Sequence, residues 1–102
     1  MLEIAVNHLA WQENKVVGHA ALIKDPMGPS GEFVIFVHQD HRNLGIGTEL
    51  TRLTMERAKN MEWKSVWLTV AVTNFIAVKL YRKLGFEYSD MDDCERTMTL
   101  KL

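Results

Sequence analysis

The chain has 102 residues, 47% of them hydrophobic, which is the size of one domain (1–102) with a single modest core. Lys and Arg number 12 against 13 for Asp and Glu, so no global field selects nucleic acid, an anionic membrane or an acidic partner, and any anion site must be local. The lone Cys94 excludes an internal disulfide and no long apolar stretch or charged-then-apolar leader opens the sequence, so a cytoplasmic address is expected.

From Leu9 to Asp25, two apolar-rich segments flank the polar "QENK", which predicts a β-hairpin with Glu13 and Asn14 at its tip. Gly18 interrupts the second strand and marks a bulge or a close backbone approach. "DPMGPSG", Asp25 to Gly31, holds both prolines and predicts a loop. "EFVIFV", Glu32 to Val37, is a continuous apolar run that predicts a strand buried on both faces. From Ile46, the spacing of Leu50, Leu53, Ala58 and Met61, with Thr54 between them, predicts a helix ending near Asn60. "SVWLTVAV", Ser65 to Val72, predicts a strand, and Asn74 to Leu84 a second helix closed by Gly85. Two strand-helix units in succession argue for parallel pairing. The tail, "FEYSD" then "RTMTLKL", alternates Met98, Leu100 and Leu102 with Thr97, Thr99 and Lys101 as a half-exposed strand does.

The chemistry gathers between the central strand and the first helix, in "VHQDHRNLGIGTEL". Gly45 and Gly47 serve a tight strand-to-helix turn, or they clear space for a phosphate against free helix N–H groups, with Arg42 adding a full charge nearby. A P-loop would need Lys and then Ser or Thr after the last glycine, where Thr48 and Glu49 stand. A dinucleotide fingerprint would need a third glycine where Leu50 stands. On the second helix, at about 100° per residue, Asn74, Ala77 and Tyr81 share a narrow arc while Ile76, Leu80 and Leu84 point towards a core. Taken singly, Asn74 reads as a helix N-cap and Tyr81 as an amphipathic aromatic at a core margin.

In this order, the strand "FVIFV", the R-x-x-G-x-G of "RNLGIG" and the later "VTNFIAVKLYRKLGF" resemble the GNAT superfamily of N-acetyltransferases over Glu32 to Phe86. The resemblance implies an α/β (α+β) fold: a mixed, mostly antiparallel sheet with a central splayed parallel strand pair and two main helices. It implies acetyl-CoA as acetyl donor, a small or peptide amine as acceptor, and no metal. It further implies that the main chain of Phe36 and Val37 pairs with the pantetheine arm. The N–H groups of Asn43, Leu44, Gly45, Ile46, Gly47 and Thr48, with Arg42 beside them, would hold the pyrophosphate. Asn74 and Ala77 would lie against the cofactor, and Tyr81 would reach the departing sulfur.

The implied reaction is direct attack of a neutral amine on the thioester, which requires no covalent enzyme intermediate and no role for Cys94. A tyrosine of pKa about 10 donating fully to a thiolate of pKa about 8.5 works uphill by about 2 kcal/mol, so Tyr81 is expected to act by hydrogen bonding. Glu32 is the nearest counterpart of the family's strand carboxylate, although simple alternation from Val37 turns it to the opposite side; His19, His38 and Asp40 are alternatives. Only "MLEIAVNH" precedes the hairpin where the family places a strand and two helices, so the acceptor side is expected to be missing or borrowed. A homodimer through the hairpin strands or "RTMTLKL", joining edges or packing faces across a two-fold axis, is expected to cover exposed apolar and strand-edge surface, and a non-catalytic CoA-binding or interaction module is the alternative to an enzyme.

Overall fold

A computed structural model describes residues 3–42 and 45–102. In chain order they form β1 (Glu3–Gln12), β2 (Lys15–Lys24), β3 (Ser30–Val37), a short 3-10 turn (Gln39–His41), α1 (Ile46–Asn60), β4 (Ser65–Ala71), α2 (Phe75–Lys83), β5 (Glu87–Met91) and β6 (Glu95–Lys101). The strands make one six-stranded sheet in the order β1-β2-β3-β4-β6-β5. The β3–β4 pair is parallel and the other neighbours are antiparallel. The mixed, mostly antiparallel sheet with two helices is thus the fold expected from the sequence.

The hairpin turns at Glu13 (φ 51°) and Asn14 (φ 64°), two successive left-handed residues of the kind a two-residue loop needs to follow the strands' twist. Its first arm begins at Glu3 rather than Leu9, so most of the segment expected to precede the hairpin belongs to it. Register shifts between Ile4 and Val6 and between Ala10 and Trp11 break the alternation that would have exposed a ten-residue strand in the sequence. Gly18 is a close approach: a Cβ there would lie 3.0 Å from Leu50 Cδ1 and 3.3 Å from the Phe36 carbonyl oxygen.

β3 is not buried on both faces as its composition suggested. Gly31 and Phe33 are buried, while Phe36 is 59% exposed. The cause is the pairing with β4, which runs only through Ser30↔Ser65, Gly31↔Val66 and Glu32↔Trp67. Beyond Glu32, β3 stays with β2 as far as Val37, and β4 stays with β6 as far as Ala71. The sheet therefore opens into a V whose vertex is the Glu32–Trp67 pair.

Both helices join one core on one face of the sheet, where Leu50, Met55 and Ala58 of α1 and Tyr81 of α2 meet Phe33, Val66, Leu68, Val70 and Met98. The contacts of Gly18 with Leu50 and of Gly47 with Val37 put Phe33, Ile35 and Val37 on that face; alternation turns Ser30, Glu32, Val34 and Phe36 to the other. Two side chains depart from the predicted faces. Leu53 is 44% exposed because the inward arc of α1 is completed by Thr51, Thr54 and Met55 instead. Thr51 and Thr54 satisfy their buried hydroxyls by donating to the carbonyls of Gly47 (2.6 Å) and Leu50 (2.7 Å). On α2, Ile76 is 77% exposed and Tyr81 is the buried residue, so the inward arc centres on Ala77 and Tyr81.

The terminal strand also departs from expectation. β6 is interior, paired with β4 on one side and β5 on the other, so it offers no edge to a second copy. Edge pairing would fall to β1 or β5.

Candidate active site

Gly45 and Gly47 answer different demands. Gly45 is the N-cap of α1 at φ 81°, a left-handed turn that a Cβ resists, although a Cβ there would meet nothing within 4 Å. Gly47 carries no positive φ, and its added Cβ would make an ordinary 3.7 Å contact with Val37 Cγ2. The fold does not require a glycine at Gly47; its effect is to leave open space in front of the helix. The first helical hydrogen bond is from Glu49 N–H to the Gly45 carbonyl (3.0 Å), and glycine has no side chain to cap with. The N–H groups of Ile46, Gly47 and Thr48 therefore precede the helical ladder, at the positive end of a fifteen-residue helix.

These N–H groups open on a groove of about 460 Å³ between the open end of β3, the start of α1 and α2. Of the residues singled out in the sequence, Phe36, Val37, Arg42, Gly45, Gly47, Thr48, Asn74, Ala77 and Tyr81 line it. Ile35, Ile76 and Leu80 complete the apolar wall. Ile46 has its side chain elsewhere, Glu32 is not in the lining, and Asn43 and Leu44 lie outside the described residues. A second hollow of about 300 Å³, between α1 and the Leu84–Leu100 side, contains none of them.

The strand wall of the groove corrects one expectation. His38 N–H donates to the Val17 carbonyl (2.8 Å), so by the two-residue alternation of an antiparallel ladder the main-chain groups of Phe36 point into β2. Those of Ile35 and Val37 point into the V. Phe36 borders the groove without turning main-chain hydrogen-bonding groups into it, and Ile35, which the sequence reading passed over, takes its main-chain place. The Val37 carbonyl accepts from Arg42 Nε at 3.2 Å, which draws the guanidinium over the mouth of the groove.

On the helix wall, Asn74 caps α2 by accepting from the Ala77 N–H at 3.2 Å through Oδ1. The N-cap reading thus holds, while the same residue faces the groove. Tyr81 is 7% exposed, its ring packed edge-on against Phe86 with centroids 5.6 Å apart. Burial pushes the phenol pKa up, so its hydroxyl stays a proton-bearing donor through the neutral range.

Glu32 sits at the vertex on the opposite face from the helices, half-buried, with its carboxyl pKa raised first by loss of water and then by the charge of Asp25. Asp25 is fixed beside it by Ser30 Oγ (2.8 Å) and Trp67 Nε1 (3.2 Å). Neither partner was legible in the sequence, since Asp25 and Trp67 are 42 positions apart and meet through the β3–β4 register. Of the alternatives, His19 bonds Asn7 Oδ1 through Nε2 (2.7 Å) on this same face, and His38 accepts from the Asp40 N–H (3.3 Å) in the 3-10 turn. Cys94 is exposed between β5 and β6, away from the groove. No described helix is long and apolar enough to cross a membrane.

Residues 3–86 match the family model described as "Acetyltransferase (GNAT) family". An uncharacterized N-acetyltransferase of Bacillus subtilis is 41% identical over 59 residues, 58% of this chain and 24% of that protein. An N-alpha-acetyltransferase of Sulfurisphaera tokodaii is 43% identical over 54 residues, 52% of this chain and 32% of that protein. The chain thus aligns with about a quarter to a third of the length of these relatives. Among solved structures, a GNAT family acetyltransferase of Elizabethkingia anophelis with acetyl-CoA bound superposes with a TM-score of 0.82 at 22% identity, covering 94% of this chain and 75% of that one.

Proposed function

The chain belongs to the GNAT family of acetyltransferases, and from that premise we propose that it transfers an acetyl group from acetyl-CoA to a primary amine, with the groove as the donor site. The observation that carries the proposal is Gly47. A glycine inside the first helical turn costs roughly 0.5–1 kcal/mol relative to alanine, and here no backbone angle or protein contact asks for it. The space it leaves lies before the N–H groups of Ile46, Gly47 and Thr48, which suit a pyrophosphate.

The other residues fit the rest of the donor. Ile35 and Val37 turn main-chain groups into the V, where a pantetheine arm can pair as an added strand, and Ile76, Ala77 and Leu80 offer it an apolar wall. Arg42 supplies charge at the mouth, and the Asn74 amide Nδ2 can donate while Oδ1 caps the helix. At the inner end Tyr81 stays protonated and donates a hydrogen bond to the sulfur as the C–S bond breaks. The amine approaches from the face opposite the helices, through the opening beyond the vertex, and gives its proton to Glu32 directly or through water.

A non-catalytic CoA-binding module is the second reading, and the observation on its side is that Glu32 stands outside the groove lining. Homodimerisation is a separate part of the proposal, for which β1 and β5 are the edges, and sedimentation at micromolar concentration reads it. The donor site is tested by calorimetry with CoA on Gly47→Val. A Cβ there makes only an ordinary contact with Val37, and the methyls of valine beyond it would occupy the space before the N–H groups, so affinity is expected to fall by about tenfold or more in a folded protein. Unchanged affinity would remove this loop from the site.

A further inference from the structure

The vertex of the V holds a second carboxylate that the reaction above leaves without a task. Asp25 lies in the β2–β3 loop, and that loop is tied at both ends: Asp25 N–H donates to the Ser30 carbonyl (2.9 Å), and Lys64 N–H donates to the Pro29 carbonyl (2.7 Å). The Asp25 carboxylate accepts from Ser30 Oγ at 2.8 Å and from Trp67 Nε1 at 3.2 Å to each oxygen. Trp67 is the register partner of Glu32 across the last parallel pair before the strands part. An aspartate free in a loop turns its charge to water; this one is clamped beside another carboxylate by an indole whose strand forms the opposite wall of the opening.

We propose that Asp25 is a positioning residue whose charge, fixed by Ser30 and Trp67 next to the Glu32–Trp67 pair, favours Glu32 as the first proton acceptor for the incoming ammonium group. The inference rests on the acetyltransferase reading. Overall, an ammonium and acetyl-CoA give an amide, free CoA and one proton. Glu32 takes the proton whose loss frees the nitrogen lone pair; that pair forms the C–N bond as the C–S bond breaks. Of the two protons left on the attacking nitrogen, one neutralises the thiolate and the other stays in the amide, and Glu32 later returns its own to water. An ordinary surface glutamate is too weak a base for this step, and a like charge fixed nearby strengthens it.

The direction of the Glu32 shift agrees, with desolvation the larger cause and Asp25 the charge that adds to it. Lys24 on β2 pairs with Gly31 on the helix side and gives its ammonium to the Asp25 main-chain carbonyl (3.1 Å). Glu87 on β5 lies farther along the same cross-strand row, beyond Trp67 and Thr99, and Lys101 on β6 lies opposite Ser65 in the adjoining one.

Asp25→Asn keeps acceptors for Ser30 and Trp67 but removes the charge, so the loop is expected to hold its shape. The Glu32 side-chain carboxyl carbon is followed by NMR titration in wild type and Asp25→Asn, a reading that needs no acceptor substrate. Its midpoint is expected to move to lower pH in the variant. In parallel, CoA release from acetyl-CoA with n-butylamine as the probe amine is measured against pH. The acid limb of kcat/KM should move down with the titration while the plateau falls about two- to tenfold, so the two profiles cross. Trp67→Phe, which keeps the charge and removes the clamp, should shift both in the same direction by less. A Glu32 midpoint that is the same in wild type and Asp25→Asn, or a rate profile that stays put while the midpoint moves, overturns the proposal. A wild-type protein that binds no acetyl-CoA overturns the acetyltransferase reading instead, and the titration still decides whether the two carboxylates are coupled.

Discussion

The two helices lie on the same face of the same sheet and are built to different ends. α1 runs for fifteen residues and buries Leu50, Thr51, Thr54, Met55 and Ala58. α2 runs for nine and buries Tyr81 alone, while Phe75 and Ile76 at its start are each 77% exposed. A helix that fully buries one residue, with Ala77 and Val78 half-buried beside it, has less core contact to hold it than α1. The difference teaches that α1 carries the fold and spends only its first turn on the site, whereas α2 gives Ile76, Ala77, Leu80 and Tyr81 to the groove wall.

That comparison can be broken. Leu50→Ala, at a position 4% exposed, is expected to cost about 2–5 kcal/mol in urea unfolding, and Ile76→Ala to stay within about 0.5 kcal/mol. Similar losses would mean that α2 is as structural as α1. Tyr81→Phe sharpens it from the other side. The ring still packs on Phe86, so CoA affinity should hold, while acetyl transfer falls about ten- to a thousandfold through loss of one hydroxyl. Steady-state kinetics beside calorimetry would separate the two, and an unchanged rate would return Tyr81 to the core alone.

The smallest effect belongs to the vertex that joins the two halves. Because its folded pKa is raised, the Glu32 carboxyl contributes stability that is full below its ordinary value of 4.5 and is lost as pH rises through the folded pKa. Glu32→Gln should therefore melt slightly higher than wild type at pH 7, with the gap closing under acid conditions. Scanning calorimetry across that range would detect it. A lower melting point at pH 7 would mean that the charge is welcomed rather than tolerated.

Much of this was legible in the residues, and the failures have causes. Element order came through because "QENK", "DPMGPSG" and Gly85 punctuate the chain and because helical and strand periods are distinct. The loop before α1 was legible because two glycines flank one residue at a helix start. What stayed hidden depends on a second strand. The exposure of Phe36 could not be read because the apolar run of β3 looks the same whether or not β4 stays beside it. Which main-chain groups of β3 face the V depends on the β2 register, so Phe36 was chosen where Ile35 belongs. The outward turn of Leu53 was masked by two threonines that bury as well as leucine does once their hydroxyls bond back into the helix.

The insertion of β6 between β4 and β5 has a consequence for the order of events during synthesis. β4, α2 and β5 leave the ribosome before the strand that joins them exists, and β4 has only a three-residue register with β3 to lean on. The β1–β2 hairpin, β3 and α1 can by then assemble from contacts near in sequence. When β6 arrives it closes the ladder from Ser65↔Lys101 to Ala71↔Glu95, and the Leu102 N–H ties to the Lys64 carbonyl at 2.9 Å. The helix wall that carries Tyr81 thus becomes firm only once β6 is paired, and until then a nascent chain would hold half a groove.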